Sequence, residues 1–219
     1  MTADEAVAPP PTGLRERKKQ RTRGALVRSA LDLFTCQGYD HTTVDEIAES
    51  VDVSQRTFFR YFANKEQVAF ATQDSAESHF FAALCARPAH EAPLAALRNA
   101  VLGAWGSIGD SLEELVPAEL HMRMYRVIES TPALLAVHLR RTAELEERIA
   151  SEIARREGLD VSLDPRPRLL TAMFGGVIQI AGKLWGEGDD DSTDALRDIT
   201  AFHLDHVGPA LAENWRTER

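Results

Sequence analysis

The chain has 219 residues, 44% of them hydrophobic and 27% charged, with a net charge of −9 and two cysteines. These values fit a soluble globular protein of one large domain, or a small domain plus a larger one, and exclude collagen-like, low-complexity and disulfide-rich scaffolds. An acidic total argues against nucleic acid as a partner unless the charge is unevenly spread.

It is unevenly spread. Residues 1–70 hold ten basic and ten acidic side chains, so the remainder carries the whole excess of acid. Arg15, Arg17, Lys18, Lys19, Arg21, Arg23 and Arg28 are opposed locally by Glu16 alone, a charge of about +6 on one short segment. Such a run is an electrostatic footprint for phosphate, and Arg17, Lys18 and Arg21 are its expected DNA-contacting members. Residues 1–13, rich in Ala and Pro, read as a disordered tail. That acidic, Pro-rich start lacks the apolar core of an export signal. The longest apolar stretch, Leu169–Gly182, falls short of the ~20 residues that span a bilayer. The expected location is cytoplasmic, with no membrane partner. Cys36 and Cys85 are then read as reduced, buried thiols.

The first helix is predicted over Leu14–Gln37, with Leu26, Ala30, Leu33 and Phe34 as its buried stripe and Gly38 as its stop. The next stretch, Thr42–Lys65, reads as two short helices joined by a tight turn. Val44, Ile47, Ala48 and Val51 recur at helical spacing. Thr43 with Glu46 three residues on is a capping box. Ser54 is a second N-cap and opens Gln55–Tyr61, where Phe58 and Phe62 turn inward and donors and aromatics turn outward. Two helices sharing a small core, the second with its polar face free, are the sequence form of a helix-turn-helix.

The run TTVDEIAESVDVSQRTFFRYFANKE closely resembles the DNA-binding domain of the TetR family of bacterial transcriptional regulators, with the likeness extending over about Leu14 to Phe70. It departs at the turn, where Asp52 stands in place of the usual glycine. A left-handed conformation suits Asp less well than Gly. The resemblance puts Thr43, Gln55, Thr57, Phe59, Tyr61 and Lys65 on positions that touch DNA, Tyr61 and Lys65 mostly at phosphates. The chemistry of base edges adds Arg56 and Arg60, either able to grip guanine, while Gln55 suits adenine and the Thr57 methyl suits thymine.

Beyond Asn64, an N-cap, a fourth helix is predicted from Lys65 to about Arg87, followed by a break at Pro88–Pro93. Further helices are expected over Leu94–Ile108, interrupted at Gly109–Asp110, and over Ser111–Ser130 with a kink at Pro117. Thr131-Pro132 opens a long helix to Glu157 that Gly158 ends. Arg166–Trp185 follows, and Ser192 caps a last helix to about Asn214. The expected architecture is all-α, with about nine helices. It comprises a three-helix helix-turn-helix domain over 14–63 and a larger helical domain over 64–219 for ligand binding and dimerisation.

One helix-turn-helix buries too little DNA to bind tightly, so a homodimer on a double-stranded operator, with half-sites roughly 34 Å apart, is expected. The resemblance places the subunit contact on the last two helices, where Leu170, Phe174, Val177, Ile178, Trp185, Ile199, Phe202 and Leu211 are apolar. Gly175 and Gly176 would allow close approach there. Phe81, Trp105, His121, Met122, Tyr125 and Gln179 form the candidate small-molecule site, mostly apolar with few polar anchors. HMRMYRVIESTPALLAVHLRR and PRLLTAMFGG look like an actinobacterial TetR subgroup, which implies an acyl-CoA-like effector or another hydrophobic compound, with Arg123, Arg126, Arg140 or Arg141 at its phosphate. His203 and His206 are too few for a metal centre, and no cofactor is expected. No glycine-rich phosphate loop, G-x-S-x-G or H-E-x-x-H supports an enzyme. The sequence reads as a ligand-responsive repressor; an activator or a ligand-independent DNA-binding protein of the same fold is the alternative.

Overall fold

A computed structural model describes residues 13–112, 116, 118–190 and 192–212, so the tail expected over 1–13 lies outside the described residues apart from Gly13. Among them the chain is all-α, with ten helices and no strand. They are α1 (Leu14–Gln37), α2 (Val44–Glu49), α3 (Gln55–Phe59), α4 (Lys65–Ala69), α5 (Ala71–Cys85), α6 (Pro93–Leu112), α7 (Ala118–Ser130), α8 (Pro132–Glu157), α9 (Arg166–Glu187) and α10 (Thr193–Ala212).

The local chemistry that starts and stops these helices is largely as expected. Gly38 ends α1 at φ 90°, and Gly158 ends α8 in the left-handed region at φ 67°. Both are backbone conformations that a Cβ disfavours. Three other elements differ from expectation. The helix expected to run unbroken from Lys65 breaks at Phe70 (φ −95°, ψ 2°), where the ring is drawn into a core shared with α1. Conversely, α6 runs through Gly109–Asp110 to Leu112: isolated weak helix formers cost only about 1 kcal/mol each and need not end a helix. The regular part of α3 ends at Phe59, two residues short of Tyr61.

Two large cores organise the chain. The first joins Leu26, Leu31 and Phe34 of α1, Ile47 of α2, Phe58 of α3 and Phe62 to Val68–Ala71, and continues into Leu120, Met124 and Ile128 of α7 and Leu134 of α8. The second joins Phe80 and Leu84 of α5, Leu97 and Val101 of α6, Ile149 and Ile153 of α8, and Phe174 and Val177 of α9, with Leu204 of α10. Phe80 and Phe174 stack there, ring centroids 5.6 Å apart. Both cysteines are exposed free thiols, which corrects their expected burial. Their helices turn other residues, Phe34 and Leu84, into the cores.

Candidate nucleic-acid interface

The helix-turn-helix is built by its caps. The Thr43 hydroxyl accepts from the Glu46 amide at 3.2 Å, and the Glu46 carboxylate accepts from the Thr43 amide at 2.7 Å and from its hydroxyl at 2.9 Å. Those bonds from Thr43, the backbone one foremost, hold the Glu46 carboxyl below its ordinary value. The turn is closed by Asp52 and Val53, whose amides donate to Glu49 and Ala48 carbonyls at 3.0 Å each. Asp52 adopts φ 53°, the left-handed conformation that a glycine would accept without strain. Ser54 then caps α3, its hydroxyl accepting from the Thr57 amide at 3.2 Å.

The core side of α3 belongs to Phe58, with Phe62 just beyond; both are buried and their rings lie 5.6 Å apart. With them turned inward, Gln55, Arg56, Phe59 and Arg60 are exposed, and Thr57 and Tyr61 are part-buried. Phe59 keeps 49% of its surface in solvent, an unusual position for a large aromatic unless something covers it. The Arg60 guanidinium lies 5.2 Å from the Tyr61 ring centroid, which keeps it beside the exposed side chains of α3.

The basic start of α1 joins this surface. Arg17, Lys18 and Arg21, with Leu14, Thr22 and Ala25, line a cleft of about 630 Å³ whose other wall is Val51 and Val53 of the α2–α3 turn. The three basic residues singled out from charge alone therefore sit beside the turn. Val51, which helical spacing assigns to the inner stripe of α2, and Val53 form the wall opposite these basic residues.

Lys65 is placed differently from expectation. Its ammonium donates to the Tyr39 carbonyl at 2.6 Å and the Thr42 carbonyl at 3.0 Å, and stands 4.1 Å from the Tyr39 ring centroid. It braces the loop that leads into α2. No local signal could have shown this, since its partners lie 26 and 23 residues away.

With this geometry in view, comparison with known proteins decides the family. Residues 26–72 match the family described as "Bacterial regulatory proteins, tetR family", and residues 91–211 match the "MftR C-terminal domain". The chain is 46% identical over 204 residues to the HTH-type transcriptional regulator TcmR of Streptomyces glaucescens, covering 93% of this chain and 90% of that protein. The chain belongs to the TetR family.

Solved structures of more distant TetR-like proteins share the fold. The SmeT–triclosan complex aligns with a TM-score of 0.61 at 16% identity, over 87% of this chain and 91% of that one. NalD, the secondary repressor of the MexAB-OprM efflux pump in Pseudomonas aeruginosa, aligns at 0.53 and 20% identity, over 85% and 97%. This TetR-family chain is thus a transcriptional regulator and not an enzyme.

The residues expected around a TetR-family ligand are only partly brought together. Phe81 of α5 and Trp105 of α6 both pack against the second core, and the Trp105 indole N–H is buried without an acceptor. The Arg148 guanidinium covers the Phe81 ring at 4.3 Å. Tyr125 of α7 sits apart at the α7–α8 elbow, edge-on to His138, with its hydroxyl pushed up to about 12 by burial and then by the Glu129 carboxylate. Gln179 is exposed on α9. His121 and Met122 lie outside the residues whose side chains are described.

The outer side of α9 is the larger surprise. Leu169, Ile180 and Leu184 are exposed there, together with Phe202 and Leu211 of α10. Of the apolar residues on the last two helices, some of which had to be core of the single chain, Phe174, Val177 and Trp185 are the ones buried within it. Gly175 also serves the interior: a Cβ on it would stand 2.6 Å from the Glu146 carboxylate of α8, whereas Gly176 faces open space. By length and composition α9 could cross a bilayer, but its inner face is core.

Proposed function

We propose that this regulator is a homodimeric repressor that binds a palindromic operator and releases it on taking up a small hydrophobic compound. The observation that carries the reading is the placement of Gln55, Arg56, Phe59 and Arg60 on the exposed side of a doubly capped helix-turn-helix, with Arg17, Lys18 and Arg21 lining a cleft beside its turn. α3 enters the major groove, where the polar side chains reach base edges, Arg56 and Arg60 being suited to guanine. The arm residues contact phosphates, while the Thr43 amide and hydroxyl stay engaged with the Glu46 carboxylate and hold the start of α2 in place. Lys65 acts on DNA through the loop that it braces.

The exposed stripe of Leu169, Ile180 and Leu184 on α9, with Phe202 of α10, pairs two subunits by burying apolar surface that the single chain leaves in water. Pairing doubles the DNA contact and sets the half-site spacing. The effector lies against Phe81 and Trp105 in the body, and its binding favours a dimer whose heads no longer match that spacing.

Selection of tight-binding sequences from random DNA should return a two-fold symmetric operator. Arg60→Ala and Tyr61→Ala should then fail to retain it in a gel-shift assay while keeping the helical circular dichroism of the parent. Unchanged retention by both variants refutes the assignment of α3, and an operator without two-fold symmetry refutes the dimer. Metabolite screening for loss of the retained complex tests effector control; if no hydrophobic compound releases the DNA, that part of the reading falls.

A further inference from the structure

Arg141 stands where α8 meets the break between α4 and α5. Its guanidinium carbon lies 5.0 Å from the centroid of the Phe70 ring, and it forms an ion pair with Asp74 in the first turn of α5. Phe70 is the residue at which the chain leaves α4, fully buried in the core that α1, α2 and α3 share. The Asp74 amide donates to the Phe70 carbonyl at 2.9 Å, so the ring and the carboxylate that Arg141 grips lie on successive turns across the break. One side chain of the body thus touches both sides of the junction between body and reading head.

α4 is only five residues long and is fastened at both ends. At one end is Phe70, beneath Arg141. At the other is Lys65, bonded to the Tyr39 and Thr42 carbonyls directly before the cap of α2. A rotation at Phe70 therefore passes along a short rigid strut to the start of α2, and from there to α3.

We propose that Arg141 is a positioning residue for DNA recognition: by holding Phe70 and Asp74 together it fixes the angle at the α4–α5 break, and so the separation of the two reading heads. The inference rests on the dimeric reading above. The ion pair is part-exposed, its side chains retaining 26% and 36% of their surface, so its effect on overall stability should be small. Its effect on direction is not small, because the cation bears on the break residue and on the first turn of α5 together. There the helix is interrupted at Phe70 (φ −95°, ψ 2°) and carried on by the Phe70 amide donating to the Glu66 carbonyl at 3.2 Å and the Asp74 amide to that of Phe70 at 2.9 Å. Arg123 of α7 makes a looser second tie to Asp32 of α1, at 3.9 Å.

The test uses the operator selected by the parent protein and a series in which its half-sites are moved closer or further apart by one and two base pairs. Arg141→Met keeps an apolar stem over Phe70 and removes the charge; Asp74→Asn removes the partner; Arg141→Lys restores a cation. Preference for the parent spacing over the shifted ones should fall on the order of tenfold in the first two variants, the size of an ordinary coupling between sites. It should recover in Arg141→Lys, with affinity for a single half-site and the thermal midpoint near those of the parent. Spacing profiles in Arg141→Met and Asp74→Asn that superimpose on the parent's overturn the proposal. So does an equal loss of affinity at every spacing and at the single half-site, which would mark a general structural role. If the parent itself selects DNA without paired half-sites, the dimeric reading fails first and this proposal fails with it.

Discussion

Replacing Lys65 by Met separates two roles that a lysine at the exit of a helix-turn-helix can play. Its ammonium makes two hydrogen bonds to main-chain carbonyls, at 2.6 and 3.0 Å, and a cation–π contact with Tyr39 at 4.1 Å. Hydrogen bonds from a charged donor contribute about 1.5–3 kcal/mol each, and a part-exposed cation–π contact about 0.5–1 kcal/mol. Lys65 is only part-buried, so water recovers a share of this on substitution, and a net loss of about 2 kcal/mol is expected. For a chain of this size that corresponds to a fall of about 4–8 °C in thermal midpoint. The assay is thermal unfolding at matched protein concentration, beside DNA titrations at several salt concentrations. If Lys65 is a brace, the midpoint falls and the salt dependence of DNA binding changes little. An unchanged midpoint, with a salt slope shallower by about 2 for one lost phosphate contact per subunit, would refute the reasoning.

Other substitutions test the remaining parts. Arg17→Ala with Lys18→Ala should weaken binding to every DNA sequence alike and flatten the salt slope by up to about 3.6, two contacts in each of two subunits; an altered base preference would move these residues from the backbone to the groove. Asp52→Gly should relieve the left-handed conformation at φ 53° and, after the looser unfolded chain is counted, raise stability by about 0.5 kcal/mol in urea unfolding. A loss of stability would mean that the Asp52 side chain holds the turn. Ile180→Asp should give a monomer in light scattering, since it puts a charge into the exposed apolar stripe of α9. A dimer that survives would place the subunit contact elsewhere.

What could be read from the sequence was what is fixed over a few residues. The capping box at Thr43 and Glu46, the Ser54 cap, the glycine stops at Gly38 and Gly158 and the inward pair Phe58 and Phe62 all depend on neighbours within one turn. Each appears in the structure as expected. The break at Phe70 depends on a ring being pulled toward α1 and covered by Arg141, which lies 71 positions along the chain. Local helix propensity in that stretch argues only for continuation. The exposed side of α9 was not legible for a similar reason: a helix apolar on two faces does not declare which face its own chain will cover. For the site, residue type revealed the donors on α3 and the charge of the α1 arm. The commitment of Lys65 to the loop carbonyls required knowing where Tyr39 and Thr42 would fold.

The first core does not stop at the helix-turn-helix. Leu120, Met124 and Ile128 of α7 and Leu134 of α8 complete it alongside Leu26, Phe34 and Phe58. A fragment cut after α4 would leave that apolar surface in water, so this DNA-reading end is not a self-sufficient folding module. Grafting it onto an unrelated sensor would require carrying α7 along, or rebuilding its apolar face in the new host. The same shared core gives α7 mechanical leverage: any compound that shifts this helix must either carry α1 with it or open the core that holds the reading helix in place.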